Sequence, residues 1–375
     1  MRTPRKPSRS LWLMSEEFLY SKLRIQHSQL IKTSSYLCPM KINFGIIGCG
    51  HIAKRHAHHI LHTPKANLVG CYDSDPQRAA EFCEENELDV SISDSLSQLL
   101  ENKELDIVNI CTPNGTHKAI AIQALAADKH VLVEKPMALS SADCNAMIKA
   151  AHQANRSLFV VKQNRFNPPV QWLKKSMEKE TFGKLMQVSI NCFWNRNEHY
   201  YSQADWRGSK NLDGGILFTQ FSHFIDILFY LAGEVQTVSG VSRNFLHPYT
   251  EIEDAAHFSF QLKSGAIGSL AATVNAYQKN VEGSITLFFE NATIKIGGKY
   301  LNTLEFVNAE KMEKLPKIAV EAANDYGNYE GSMSNHDKVI NNVVKALNGE
   351  EPIMTSAEEG AKVVQMIEQF YKGLA

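Results

Sequence analysis

The chain has 375 residues, 44% hydrophobic and 21% charged, and its 39 Lys+Arg against 40 Asp+Glu leave a net charge of -1. That length predicts two domains with cores of their own. The charge balance excludes nucleic-acid binding driven by excess cations, and no apolar run approaches the ~20 residues of a membrane helix, so neither partner is expected.

Cys38, Cys49, Cys71, Cys83, Cys111, Cys144 and Cys192 are scattered, with no Cys-x-x-Cys pair. This fits neither a disulfide framework nor a structural zinc site and points to a reducing, cytoplasmic compartment. Residues 1–39 carry seven Lys/Arg against Glu16 and Glu17. Their apolar run Leu11–Met14 is too short for a secretory signal. They read as a disordered or non-native extension ahead of a natural start at Met40-Lys41-Ile42.

From Lys41, short apolar runs alternate with helical segments. Strands are expected at Ile42–Ile47, Asn67–Tyr72, Ile107–Ile110, Val131–Val133 and Leu158–Val161, and helices at Ile52–Leu61, after Asp75-Pro76, at Thr116–Ala127 and at Ser141–Ala154. Alternation of this kind predicts an α/β, doubly wound parallel Rossmann sheet. Gly48-Cys49-Gly50-His51-Ile52-Ala53 occupies the first strand–helix turn with G-x-G-x-x-G/A spacing. Gly48 suits a tight turn, Gly50 a close approach to a pyrophosphate, and Ala53 close helix–sheet packing. Asp73 closes the next strand, where a carboxylate accepts from ribose hydroxyls and repels a 2′-phosphate. NAD is therefore favoured over NADP, with Arg78 as the nearby guanidinium that would admit the latter.

His51, His56, His58, His59 and His62 crowd this region. His58 and His62 have i,i+4 spacing, but no glutamate follows His58 and no third ligand is evident, so no metal is expected.

Ligands of open α/β sheets bind at the carboxyl ends of the strands. Three segments stand there: Cys111-Thr112-Pro113-Asn114-Gly115-Thr116-His117, Glu134-Lys135-Pro136, and Gln163-Asn164-Arg165-Phe166-Asn167-Pro168. A lysine held between Glu and Pro at a strand end is a candidate reacting group, because proline stiffens the turn that presents it.

Beyond Pro169 the pattern changes. Lys184–Asn195 alternates, and Trp206-Arg207-Gly208 leads to Asp213-Gly214-Gly215 and a helix running to about Leu231. On that helix His223 shares a face with Asp226, with Thr219 one turn before it. Histidine suits proton transfer near neutral pH. Strands are expected near Val235–Asn244, His257–Leu262, Ala266–Val274, Ser284–Phe289 and Thr293–Ile296, with a hairpin at Lys263-Ser264-Gly265. Helices at Met333–Leu347 and Ser356–Tyr371 finish the chain. A mainly antiparallel sheet with one face free implies a homodimer or homotetramer formed through that face. The domains are thus 40–163, nucleotide-binding, and 164–375, an α+β domain for substrate and assembly.

These pieces together resemble the glucose–fructose oxidoreductase / inositol dehydrogenase / rhizopine-catabolism (Gfo/Idh/MocA) family. The resemblance rests on Gly48–Ala53 with His56, Thr112-Pro113-Asn114 with His117, Glu134-Lys135-Pro136, Arg165-Phe166-Asn167-Pro168, and the Gly-Gly helix with His223 and Asp226. It implies an NAD(P)-dependent dehydrogenase of CH–OH groups with Lys135 and His223 as catalytic residues. It implies a cofactor held by Gly48, Gly50, His51, Ile52, Asp73, Arg78, Thr112, Pro113, Asn114, His117, Glu134, Lys135 and Gln163. The substrate would meet Lys135, Arg165, Asn167, Arg207, Thr219 and His223. Arg165 and Arg207 are candidates because guanidinium forks suit a diphosphate or carboxylate. One departure is Thr219, where many members have Asp.

Within the family, Tyr200-Tyr201, Trp206-Arg207-Gly208 and Asp213–His223 look like the UDP-N-acetylhexosamine 3-dehydrogenases. The substrate implied is a nucleotide sugar such as UDP-N-acetylglucosamine or its uronate, oxidised at C3. A free sugar or inositol, and a non-enzymatic NAD-dependent sensor, are the alternative readings. His223 is the expected base with Lys135 holding the oxygen, and the reverse assignment is physically reasonable too.

Overall fold

The computed structural model describes residues 40–179, 182–310, 318, 323–325 and 330–375. The reading of residues 1–39 as an extension lies outside them. β1 (Ile42–Ile47), β2 (Ala66–Tyr72), β3 (Ser91–Ile92), β4 (Ile107–Ile110), β5 (His130–Val133) and β6 (Leu158–Val160) form a parallel sheet in the order β3-β2-β1-β4-β5-β6. α1 (His51–His62), α2 (Pro76–Glu85), α3 (Leu96–Glu101), α4 (His117–Ala126) and α5 (Ser141–Ala154) connect the strands. β4 and β5 are apolar runs because both their faces are covered: Ile107, Val108, Ile110, Val131, Leu132 and Val133 are fully buried. Helix starts follow local chemistry. Asp75 accepts from the backbone N–H groups of Gln77 and Arg78 with Pro76 at the first position, and Ser140 caps α5 through Asp143. The strand order reverses between β1 and β4, which opens the crevice at their carboxyl ends.

The second half contains α6 (Pro168–Glu178), β7 (Leu185–Phe193), α7 (Glu198–Ser202), α8 (Ile216–Thr219), α9 (Ser222–Ala232), β8 (Val235–Arg243), β9 (Ala255–Leu262), β10 (Ile267–Thr273), β11 (Glu282–Phe289), β12 (Ala292–Gly297) and β13 (Thr303–Ala309). Seven strands pair in the order β13-β12-β11-β7-β10-β9-β8. β7 lies between β10 and β11, parallel to the former and antiparallel to the latter. The strands are therefore not laid down in chain order: the first strand of the half is its central one. Along β9, Ala256, Phe258, Phe260 and Leu262 are buried while His257, Ser259 and Gln261 are exposed, as alternation requires.

Two helices depart from the sequence reading. α6 starts on a double proline, which ends a helix from one side but suits its first turn from the other. The long helix after Gly215 is broken at Gln220-Phe221 into α8 and α9.

After a short ladder of β14 (Ala323–Asp325) and β15 (Glu330–Met333), α10 (His336–Leu347) and α11 (Ala357–Lys372) return to the first sheet. Val339, Ile340, Val343 and Val344 of α10 join Ala53, Ala57 and Ile60 of α1 in one core. A boundary at 163/164 therefore divides the sequence but not the packing. The described cysteines are free and buried. Among the described residues no helix is long and apolar enough to cross a membrane.

Candidate active site

The glycine turn is shaped by contacts only glycine allows. Gly48 has φ +88°, and a Cβ there would sit 2.7 Å from Thr112 Cγ2. A Cβ on Gly50 would meet no protein atom within 4 Å; the space beside it belongs to a cavity of about 1200 Å³. Asp73 ties the turn to β2, accepting from the backbone of Cys49 at 2.8 Å and of Asp75 at 3.0 Å. These features fit a dinucleotide: a bare helix N-terminus, room for the backbone to approach phosphate, and a carboxylate at the strand end.

Across the crevice, the Glu134-Lys135-Pro136 turn is held from both sides. His117 Nδ1 meets the Pro136 carbonyl at 2.9 Å and its Nε2 the Thr112 carbonyl at 3.0 Å. Glu134 accepts the backbone N–H of Lys135 at 3.0 Å. Lys135 Nζ donates to the carbonyl of Thr219 at 2.6 Å, which brings the α8–α9 corner and His223 to the lysine. That corner is set by Gly215, whose φ is +118° and whose Cβ would lie 2.1 Å from Tyr371 Oη.

Thr219 stands beside a buried carboxyl, that of Asp213. Thr219 Oγ1 donates to Asp213, and Asn114 Nδ2 donates to Thr219 Oγ1 and to the Asp213 carbonyl, both at 2.9 Å. Asp226 turns away from His223: its oxygens take Arg165 Nη2 at 2.8 Å and Lys162 Nζ at 3.4 Å.

Burial dominates the electrostatics. It lowers the Lys135 pKa to about 8, with Lys162 and Arg196 acting in the same direction and Glu134 and Asp213 opposing. Burial, then the charge of Lys135, keeps His223 well below the ordinary imidazole value, hence neutral. Burial raises the Asp213 carboxyl.

Gly48, Gly50, His51, Ile52, Asp73, Arg78, Thr112, Pro113, Asn114, Glu134, Lys135, Gln163, Arg207, Thr219 and His223 all line this same cavity. Three expected contacts do not. Arg165 is 1% exposed and is spent on Asp226, Glu359 and the Met354 carbonyl. Asn167 is fully buried, donating to the carbonyls of Tyr300 and Leu301 at 3.0 Å. His117 is fully buried behind the turn it braces. These corrections share a cause: a strand-end position does not distinguish a side chain facing the crevice from one facing the core.

Sequence reasoning missed Arg196 and Trp194 and named Tyr200 and Gln220 only within a motif, without a place in the site; all four complete the cavity wall. The Arg196 guanidinium lies 5.1 Å from the Trp194 ring and 5.3 Å from the Tyr200 ring. The clustering of Trp, Arg and Tyr after the alternating strand was the available signal. Arg207 stacks on Tyr200 at 4.1 Å, and its charge helps lower His51 at the glycine turn, after burial. It therefore faces the dinucleotide end.

The rings of His58 and His62 are 4.3 Å apart, but His62 Nδ1 is used on the His58 carbonyl. His56, Glu134 and His336 bring three donor atoms within 4.8 Å, with His56 hydrogen-bonded to Glu134 at 2.8 Å.

Residues 42–162 match the profile described as "oxidoreductase family, NAD-binding Rossmann fold", and residues 170–295 match the GFO/IDH/MocA C-terminal domain. The chain is 33% identical to the WlbA dehydrogenase from Bordetella pertussis, solved with NADH and UDP-GlcNAcA, with a TM-score of 0.79 over 89% of this chain and 96% of that one. The chain belongs to the Gfo/Idh/MocA family. It is thus an NAD-binding oxidoreductase by family, and its two sheets are that family's two-domain fold. It is also 27% identical to the levoglucosan dehydrogenase of Pseudarthrobacter phenanthrenivorans, over 66% of this chain and 74% of that protein. To the 2,7-anhydro-N-acetylneuraminate hydratase of Escherichia coli it is 28% identical over 61% of either chain. The match to this relative therefore covers less than two thirds of its length.

Proposed function

We propose that the chain oxidises a sugar hydroxyl with NAD, and that the sugar is carried by a nucleoside diphosphate: UDP-N-acetylglucosamine or its uronate, reacting at C3. The observation that carries this is one continuous cavity. Its wall includes the glycine turn, Lys135 and His223, and Arg196 with Trp194 and Tyr200. Its size exceeds the usual range for a single small ligand, about 300–1000 Å³. The nucleotide sugar bound by the Bordetella pertussis relative supports the same reading.

NAD, when bound, supplies the carbon that takes up or returns a hydride. The chain supplies position and a proton site. Lys135, with a pKa of about 8, is partly unprotonated near neutral pH and accepts the hydroxyl proton. His223 is neutral and orients the oxygen, because both burial and the charge of Lys135 disfavour its protonated form. The electrostatics thus favour the reverse of the assignment that residue type alone suggests. Arg196 neutralises an anionic group of the sugar near the reacting end. Arg207 serves the phosphates at the glycine turn. The outer face of the seven-stranded sheet, with Met186, Val241, Ile267 and Phe306 exposed, joins copies of the chain.

The test is NADH absorbance after mixing protein and NAD with UDP-N-acetylglucosamine, its uronate, or free sugars and inositol. Turnover confined to a nucleotide sugar is expected. Equal turnover of free polyols favours a free-sugar dehydrogenase, and NAD binding without turnover of any of them favours the sensor.

A further inference from the structure

His336 opens α10, far along the chain, yet it is 1% exposed beneath the Glu134-Lys135-Pro136 turn. Its Nε2 lies 3.4 Å from Glu134 Oε1. The same oxygen is hydrogen-bonded to His56 Nε2 at 2.8 Å. His56 is set in turn by Asn109, whose amide nitrogen is 2.8 Å from Nδ1. The other oxygen of Glu134 holds the backbone N–H of Lys135. Neither histidine lines the cavity. Two imidazoles from separate helices therefore converge on one carboxylate whose remaining oxygen fixes the lysine.

We propose that His336 and His56 form a clamp on Glu134 that holds Lys135 in register with the substrate. They are positioning residues, and the proposal rests on the reading of Lys135 as the reacting amine. A buried carboxylate is costly unless its oxygens are satisfied. Here burial alone would raise the Glu134 pKa, but the approach of His336 and the hydrogen bond with His56 hold it well below the usual value. Its fixed negative charge then supports a proton on Lys135, alongside Asp213 and against Lys162 and Arg196. His336 itself is kept neutral by burial, with Glu134 opposing and His56 and Arg55 reinforcing; His59 faces it as well.

The test compares His336→Phe, which keeps a ring but removes both nitrogens, with His336→Gln, which returns a donor. The readout is the pH dependence of Lys135 acylation by acetic anhydride, quantified by mass spectrometry on the full chain. Losing the imidazole lets burial push the Glu134 carboxyl towards its neutral form, so less negative charge supports the proton on Lys135 and its midpoint should fall by about half a unit or more in the Phe variant. The Gln variant should return towards wild type. An unchanged midpoint in a folded Phe variant overturns the clamp. Should the Phe variant not fold, His336→Asn, too short to reach Glu134, carries the same comparison. Acylation reads the clamp whether or not Lys135 is the base. Full activity of Lys135→Ala would refute the base assignment while leaving the midpoint result to stand or fall alone.

Discussion

Lys135 Nζ donates to the carbonyl of Thr219 across 2.6 Å, joining the turn after β5 to the corner that carries His223. The contact fixes the amine without neutralising it, since a carbonyl offers a dipole and no full charge. Burial therefore still governs its proton affinity.

Alcohol oxidation needs that amine unprotonated. With a pKa of about 8, log(kcat/KM) for NAD reduction should rise with pH and level off above it. Lys135→Ala should abolish this limb and lower turnover by about two to four orders of magnitude, the usual worth of general-base catalysis. NAD binding, followed by protein fluorescence, should stay at its wild-type Kd. His223→Ala should lower turnover and leave the limb in place. A limb that disappears with His223 instead would move the base to the imidazole.

Thr219→Asp restores the residue common in the family and should nonetheless be harmful. Asp213 already receives the Thr219 hydroxyl in a buried site, and burial raises its pKa. A second carboxylate there adds like-charge repulsion, which raises both pKa values above those of the unfolded chain. Groups raised in this way favour the fold when protonated, so the Tm deficit should shrink as pH falls and grow as pH rises. A Tm equal to wild type across pH 5 to 8 would show that the corner tolerates two charges.

Much of the site was legible because backbone geometry prints itself on composition. Gly48, Asp73 and the Glu134-Lys135-Pro136 turn are dictated by neighbours close in sequence or by strand ends, and all lie on the cavity. What stayed hidden depends on distant partners. Asp213 meets Thr219 only once α8 folds back on it. His336 reaches Glu134 only because α10 returns to the first sheet. Arg165 looked like an anion contact because its partners, Asp226 and Glu359, are 61 and 194 residues away. β7 was read as a strand, but its central place comes from pairing with β10 and β11, which no local pattern encodes.

Arg165→Met should therefore act on stability. The guanidinium is buried with Asp226, and removing one partner of a buried ion pair costs about 3–5 kcal/mol because the other charge is left unpaired. Lys162 also faces Asp226 and softens the loss. Denaturant unfolding should show a lower midpoint, while KM for both ligands stays near wild type in the folded enzyme. A raised substrate KM at unchanged stability would return Arg165 to the site.

The two cavity arginines should separate kinetically. Arg207 faces His51 at the glycine turn, and Arg196 faces Lys135 from beside Trp194 and Tyr200. Charge-assisted contacts to phosphate or carboxylate are worth about 1.5–3 kcal/mol, roughly ten- to hundredfold in affinity. Arg207→Met should raise KM for NAD by that order with little effect on the sugar. Arg196→Met should raise KM for the anionic sugar and, by removing a positive charge beside Lys135, move the alkaline-going limb of the pH profile upward. Initial rates with each ligand varied in turn measure both effects. Parallel losses for the two ligands in both variants would show that neither guanidinium is dedicated to one of them.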